Sequence, residues 1–185
     1  NRKTLIQEVF VSIGSNIDAS NNMEVVKDHL SIFHEICFSS VYRTPAEGFE
    51  GDDFLNCVCK FETSESPHDL RQILKTIEKS MGRTVSQKGM SNRVIDLDLI
   101  LYGDLVMSDA TFDIPSSDIE KYRFVLEPLA EIAPEKFHPT LKKSYTYLLR
   151  SIVGKAIHPN YPHNSFLFLV WKSVLDCYTM RFNNL

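Results

Sequence analysis

The chain has 185 residues, 43% hydrophobic and 24% charged, proportions that support one packed domain of roughly 150 residues with a shorter extension. A formal net charge of −4 argues against nucleic acid as the main partner, because duplex binders carry a basic stripe. The apolar run Phe166–Trp171 is far too short to span a bilayer.

In chain order, Val9–Ile13 reads as a strand closed by Gly14-Ser15-Asn16. A helix is expected from Met23 to Phe33, with Met23, Val26, Leu30 and Phe33 on one stripe and Asn21 or Asn22 as its cap. Ile36–Tyr42 is a second expected strand. The stretch Arg43–Asp53 that follows, with one Pro, two Gly and several acids, reads as a lid-like loop. Phe54–Thr63 alternates as a third strand, placing Leu55, Cys57, Cys59 and Phe61 on its core face and Phe54 and Asn56 on the other. Ser66-Pro67 opens a helix striped by Leu70, Ile73, Leu74, Ile77 and Met81, and Gly82 ends it. Thr84–Asn92 is a polar loop that contains Lys88.

Val94–Tyr102 is then a mostly apolar, β-rich stretch interrupted only by Asp96 and Asp98. Side chains alternate along a strand, so the two carboxylates project from the same face with Cα atoms about 6.6 Å apart. Two anions that close must be neutralised. Hard oxygen donors without Cys or His suit Mg²⁺, which is usually completed by substrate phosphates. Arg93 adds a fork of donors matched to phosphate. An ordinary strand with salt-bridged acids on a solvated face is the competing reading of these three residues.

The order β, α, β, β, α, β is that of a ferredoxin-like α+β sandwich, an antiparallel sheet with helices on one face. Beyond it come a short extended piece, Phe112–Pro115, a helix from Ile119 to Ile132 expected to break at Pro128, and a helical segment with Tyr145, Leu148 and Leu149. Residues 1–150 are read as the domain and 151–185 as an extension, in which Phe166, Leu169, Val170, Ser173, Val174 and Cys177 would form a helical stripe. The four cysteines are expected to be reduced thiols of a cytoplasmic protein, which also lacks a leader-like start. No metal role is expected for His158 and His163.

Val11–Asn16, Ser40–Pro45, Phe54-Leu55-Asn56, Ile77-Glu78 with Gly82-Arg83, Arg93–Gly103 and Phe124–Pro134 occur in that order, and together they carry a specific resemblance. The chain resembles the 6-hydroxymethyl-7,8-dihydropterin pyrophosphokinases of folate synthesis from about Val9 to about Leu149. The resemblance implies the ferredoxin-like fold and transfer of pyrophosphate from ATP to the hydroxymethyl oxygen of the pterin, with release of AMP. It also implies two Mg²⁺ ions held by Asp96 and Asp98, and Arg93 and Arg83 acting with them in catalysis. Glu78, Lys88, Ile100 and Arg123 would meet the nucleotide, and Thr44, Pro45, Phe54, Asn56 and Phe124 would line the pterin pocket. The implied partners are small molecules, with neither nucleic acid nor membrane, in a monomer or weak oligomer.

The sequence departs from the family pattern at Ser116 (usually His), Tyr122 (usually Arg), Met90 (near the usual Trp), Val85 (usually basic) and Ser91-Asn92 (usually small-Pro). Two alternatives therefore stay open. One is a paralogue that binds pterin or nucleotide as a regulator, and the other is an interaction module with no small ligand.

Overall fold

In a computed structural model, which describes residues 5–153 except Glu47 and Met90, the third expected strand has the ends read from its alternation, Phe54–Thr63. Numbered in chain order, the strands are β1 (Gln7–Ser15), β2 (His34–Phe38), β3 (Tyr42–Thr44), β4 (Phe54–Thr63), β5 (Asp96–Tyr102), β6 (Met107–Ser108) and β7 (Asp113–Ile114). The helices are α1 (Ala19–Leu30), α2 (Pro67–Ser80), α3 (Asp118–Lys121), α4 (Arg123–Ile132) and α5 (Tyr145–Val153). The main sheet is antiparallel in the order β2-β4-β1-β5, with β3 also on β4, and β6-β7 form a separate two-stranded ladder. This is the expected α+β ferredoxin-like arrangement.

Two apolar clusters sandwich the sheet. Val9, Val11, Ile13, Cys57, Cys59, Phe61, Leu97 and Leu99 face α1 and α2, where Leu30, Leu70 and Leu74 are fully buried. Phe10, Val58, Ile100 and Leu101 face α4 and α5, packing with Leu126, Leu129 and Tyr145. Each fully buried large side chain contributes about 1.5–3 kcal/mol. The helices after β5 thus cover the face that the βαββαβ core leaves bare.

An irregularity in the β1–β5 ladder sets where the carboxylates sit. Phe10 pairs with Leu101 and Val11 with Leu99, so Ile100 is an extra residue in β5. The bulge puts Ile100 and Leu101 on one face. Below it, Asp96 and Asp98 lie opposite Gly14 and Ser12, on the face turned towards α4.

Several expected boundaries shift. The segment 36–42 splits into β2 and β3, because Ser39 turns inward and its hydroxyl accepts the Val58 amide at 2.9 Å. Asp18, with φ 44°, precedes α1 in place of Asn21 or Asn22; Asn22 instead donates to the Ile17 carbonyl at 2.7 Å. Pro128 does not break the third helical stretch and lies buried inside α4; the break falls at Tyr122, whose extended backbone separates α3 from α4. Cys57 and Cys59 are free, buried thiols, as expected, and Cys177 lies outside the described residues. Among the described residues no helix is long and apolar enough to cross a membrane. Met90, the expected 166–177 stripe, His158 and His163 lie outside the described residues.

Candidate active site

The register lines up Tyr42, Asn56, Gly14 and Asp96 as one row across β3, β4, β1 and β5. At about 4.8 Å per strand, Asn56 and Asp96 stand roughly 10 Å apart with a glycine between them. A Cβ at Gly14 would meet Asn56 Oδ1 at 3.0 Å and Phe54 at 3.9 Å. The missing side chain therefore leaves a floor free for a ligand. Above that floor lies a cavity of about 340 Å³. Thr44, Pro45, Phe49, Phe54 and Asn56 form one wall; Tyr122, Phe124 and Val125 form another; Arg93, Asp96, Asp98, Asp118 and Gly89 close the third. A wider, more open depression of about 540 Å³ lies between Asn16, Arg43 and Asp53, but it lacks the carboxylate pair.

The aromatic walls are ordered by their own contacts. Phe124 stacks on Tyr122, with centroids 4.9 Å apart and planes 19° apart, while Phe49 meets Phe54 edge-on at 6.2 Å. Asn56 donates to Thr44 Oγ1 at 2.7 Å, so in this amide orientation its Oδ1 remains available as an acceptor. Behind this wall Glu131 of α4 accepts from the Ser40 amide at 2.9 Å, the Ser40 hydroxyl at 3.0 Å and the Tyr42 hydroxyl at 2.6 Å. Burial, and then the Glu131 hydrogen bond, push the Tyr42 hydroxyl well above the ordinary tyrosine range, so it donates throughout neutral pH.

The charged wall is a chain of ion pairs along the open edge of β5. Among the described residues no further strand pairs with β5 at Leu97, and α2 satisfies its backbone: Glu78 accepts the Leu97 amide at 2.7 Å and Lys75 donates to the Leu97 carbonyl at 3.3 Å. Glu78, only 4% exposed, also holds Lys75 and Arg83, each at 2.8 Å. Arg83 reaches the Ile95 carbonyl at 3.2 Å and closes on Asp96 Oδ1, while Arg93 holds Asp96 Oδ2 at 2.6 Å. Lys75 stands 3.5 Å from Asp98 Oδ1.

The two aspartates therefore differ. Burial works against the charge on Asp96, but Arg93, Arg83 and Lys75 outweigh it and hold its carboxyl below the usual range. Burial, then the nearby charge of Asp96, pushes Asp98 up to about 6; with 47% of its side chain exposed, water tempers that effect. Burial and the charge of Asp96 push Asp118 upward too.

Asn16 ties the surrounding loops together. It donates to the Asn92 side chain at 2.7 Å and the Asp52 carbonyl at 3.1 Å, and it accepts the Arg93 amide at 2.8 Å. Gly14-Ser15-Asn16 thus acts partly as a floor and partly as a staple, with Ser15 donating to the Val94 carbonyl at 2.6 Å.

Of the residues singled out in the sequence, Thr44, Pro45, Phe54, Asn56, Phe124, Arg93, Asp96 and Asp98 all line the one cavity. Arg83 stands behind Asp96, and Glu78 is a buried pin for β5 rather than a lining residue. Ile100, placed at the nucleotide by the resemblance, is fully buried at the bulge, and its carbonyl accepts the Ser116 amide at 2.9 Å. Arg123 pairs with Glu127 at 2.9 Å along α4 and does not line the cavity, nor does the exposed Lys88. Lys75 and Phe49 received no role from the sequence. Lys75 was legible as one turn before Glu78 on the same helix face; Phe49, alone in an irregular loop, carried no periodic signal.

Asp96 and Asp98 offer hard oxygens on one face, but among the described residues no group of three or more His, Cys, Asp or Glu side chains could hold a metal. That donor set fits a Mg²⁺ ion completed by ligand phosphates and water, and does not fit a closed protein cage.

A family model described as 7,8-dihydro-6-hydroxymethylpterin-pyrophosphokinase (HPPK) matches residues 10–134. A 2-amino-4-hydroxy-6-hydroxymethyldihydropteridine pyrophosphokinase of Aquifex aeolicus is 37% identical over 138 residues, covering 73% of this chain and 86% of that protein. A folic acid synthesis protein of Dictyostelium discoideum is 35% identical over 138 residues, covering 72% of this chain; the chain spans only 20% of that protein's length. A solved HPPK-DHPS structure from Plasmodium falciparum shares the fold with a TM-score of 0.69 at 13% identity, covering 84% of this chain and 47% of that one. With its model matched across both walls of the cavity and both aspartates, the chain belongs to the 7,8-dihydro-6-hydroxymethylpterin-pyrophosphokinase family.

Proposed function

We propose that this chain transfers the pyrophosphoryl group of ATP to the hydroxymethyl oxygen of 6-hydroxymethyl-7,8-dihydropterin and releases AMP. One observation carries the reading: an aromatic wall with an amide, and an acid pair with arginines, face each other inside a single cavity. The flat bicycle lies against Phe54 and Phe124, and its N–H edge donates to Asn56 Oδ1. From there the hydroxymethyl group points along the row towards Asp96.

Release of AMP fixes the bond that breaks. The hydroxymethyl oxygen forms a bond to the β-phosphorus, the bond from that phosphorus to the α,β-bridging oxygen breaks, AMP leaves with the electron pair, and the hydroxyl proton passes to solvent. Such a transfer needs charge stabilisation and in-line placement more than a strong base. Asp96 and Asp98 would hold Mg²⁺, whose bound charge neutralises the phosphate oxygens. Arg93, at the cavity wall, turns from Asp96 to the phosphates, and Arg83 keeps Asp96 aligned from behind. Purified chain incubated with ATP, Mg²⁺ and the hydroxymethyl pterin is expected to yield AMP on nucleotide separation. ADP, or no nucleotide product, would overturn the assignment.

A second reading, a pterin-binding regulator without turnover, draws on Tyr122. Its ring stacks on Phe124 where the family usually presents a cation. Calorimetric binding of the pterin with no AMP formed would select it.

A further inference from the structure

Three cations, Lys75, Arg83 and Arg93, meet three carboxylates, Glu78, Asp96 and Asp98, in one connected set of ion pairs. The set is neutral before any ligand enters. With Asp118 as one further carboxylate on this wall, a divalent ion arriving alone still leaves net positive charge, whereas a metal–triphosphate complex brings its own balance. The two arginines already occupy both oxygens of Asp96. At Asp98 the resident cation is Lys75, which nothing in the sequence singled out.

The geometry points to Lys75 as an internal competitor of the divalent ion: its ammonium holds the place of the metal at Asp98 and yields it when the triphosphate arrives. The inference rests on the proposed function, since it takes Asp98 as a metal ligand. Three features of Lys75 suit this role. It is 3.5 Å from Asp98 Oδ1, close enough for direct charge competition but longer than its other contacts. It keeps Glu78 at 2.8 Å and the Leu97 carbonyl at 3.3 Å, so it releases Asp98 without losing its anchors. Its flexible stem, one-third exposed, lets a compact ammonium turn towards a phosphate oxygen. Lys75 is thus a positioning residue for the order of events: the site takes metal with the nucleotide and resists it alone.

The test is a titration with Mn²⁺, a paramagnetic stand-in for Mg²⁺, followed by electron paramagnetic resonance on the full chain. Lys75→Gln removes the charge but keeps a donor for the Leu97 carbonyl. It is expected to bind Mn²⁺ without nucleotide about tenfold more tightly than the parent, a factor equivalent to ~1.4 kcal/mol. Lys75→Arg keeps the charge and is expected to restore weak binding. In an Asp98→Asn background the effect of Lys75→Gln is expected to vanish. Adding α,β-methylene ATP, which cannot release AMP, is expected to narrow the difference between parent and Lys75→Gln. Thermal unfolding verifies that each variant is folded, and Lys75→Met serves as a second neutral variant. Equal or weaker Mn²⁺ binding by folded Lys75→Gln and Lys75→Met overturns this inference alone. No Mn²⁺ binding by any protein, with or without the nucleotide analogue, overturns it together with the metal assignment at Asp96 and Asp98.

Discussion

Replacing Asp96 by Asn separates what the two aspartates do for the fold. Asp96 Oδ1 and Oδ2 accept from Arg83 and Arg93, whose side chains are only 15% and 13% exposed. Losing the carboxylate charge leaves two largely buried guanidiniums facing an amide, with Arg83 still paired to Glu78. Hydrogen bonds to charged groups contribute about 1.5–3 kcal/mol each, and Asn retains part of one, so the net cost is about 3 kcal/mol. For a domain of this size that corresponds to a fall of roughly 6–12 °C in Tm. Asp98→Asn removes a charge that burial and Asp96 already disfavour, at a site nearly half exposed, and the expected change is within about 1 kcal/mol of zero. Both substitutions are expected to abolish AMP formation. The assay is thermal and urea unfolding by circular dichroism at pH 7 without divalent metal. Equal losses of Tm in the two variants, or an unchanged Tm in Asp96→Asn, would refute the assignment of Asp96 as the anchor of both arginines.

Phe54→Ala removes one stacking face and is expected to weaken pterin binding by about 2 kcal/mol, roughly 30-fold, with nucleotide affinity unchanged; calorimetry with each ligand separately checks this. Glu131→Ala and Tyr42→Phe each break the tie between α4 and the Thr44 wall, so their double-mutant cycle in urea unfolding is expected to show a coupling of about 1–2 kcal/mol, and additivity would contradict the tie. His138 Nδ1 accepts the amides of Thr140 and Leu141 at 3.2 Å each, and burial holds its pKa below 6.5. The unfolded chain takes up a proton there that the folded chain refuses, so stability is full above about pH 6.5 and falls as pH drops below it. Urea unfolding at pH 7.5 and 5.5 measures the loss, which is expected to shrink in His138→Asn.

Much of this was readable where a local rule met no competition. β4 was legible end to end because its alternation is uninterrupted and polar turns flank it. Ser66-Pro67 announced α2, and the Ser66 hydroxyl does accept the Asp69 amide at 3.2 Å. The two aspartates followed from period-two geometry alone. Other features depended on contacts distant in sequence. The bulge at Ile100 arises from pairing with Phe10 and Val11, so the strand's own composition could not show that Ile100 turns into the core. Pro128 ends helices by rule, yet it sits buried in α4, where the packing of Leu126 and Leu129 outweighs its missing donor. Arg123 pairs with Glu127 one turn on, a contact that the spacing allows and the assembled helix makes. Glu78 is placed at the nucleotide by the resemblance, and its hold on the open edge of β5 exists only once the sheet is assembled.

The most direct test of the central claim is phosphorus NMR of the full chain turning over ATP with the hydroxymethyl pterin and Mg²⁺. The account predicts AMP and a new pyrophosphoryl ester rising in equal amounts, both absent with Asp98→Asn. Formation of ADP, or AMP released at the same rate without the pterin, would contradict it.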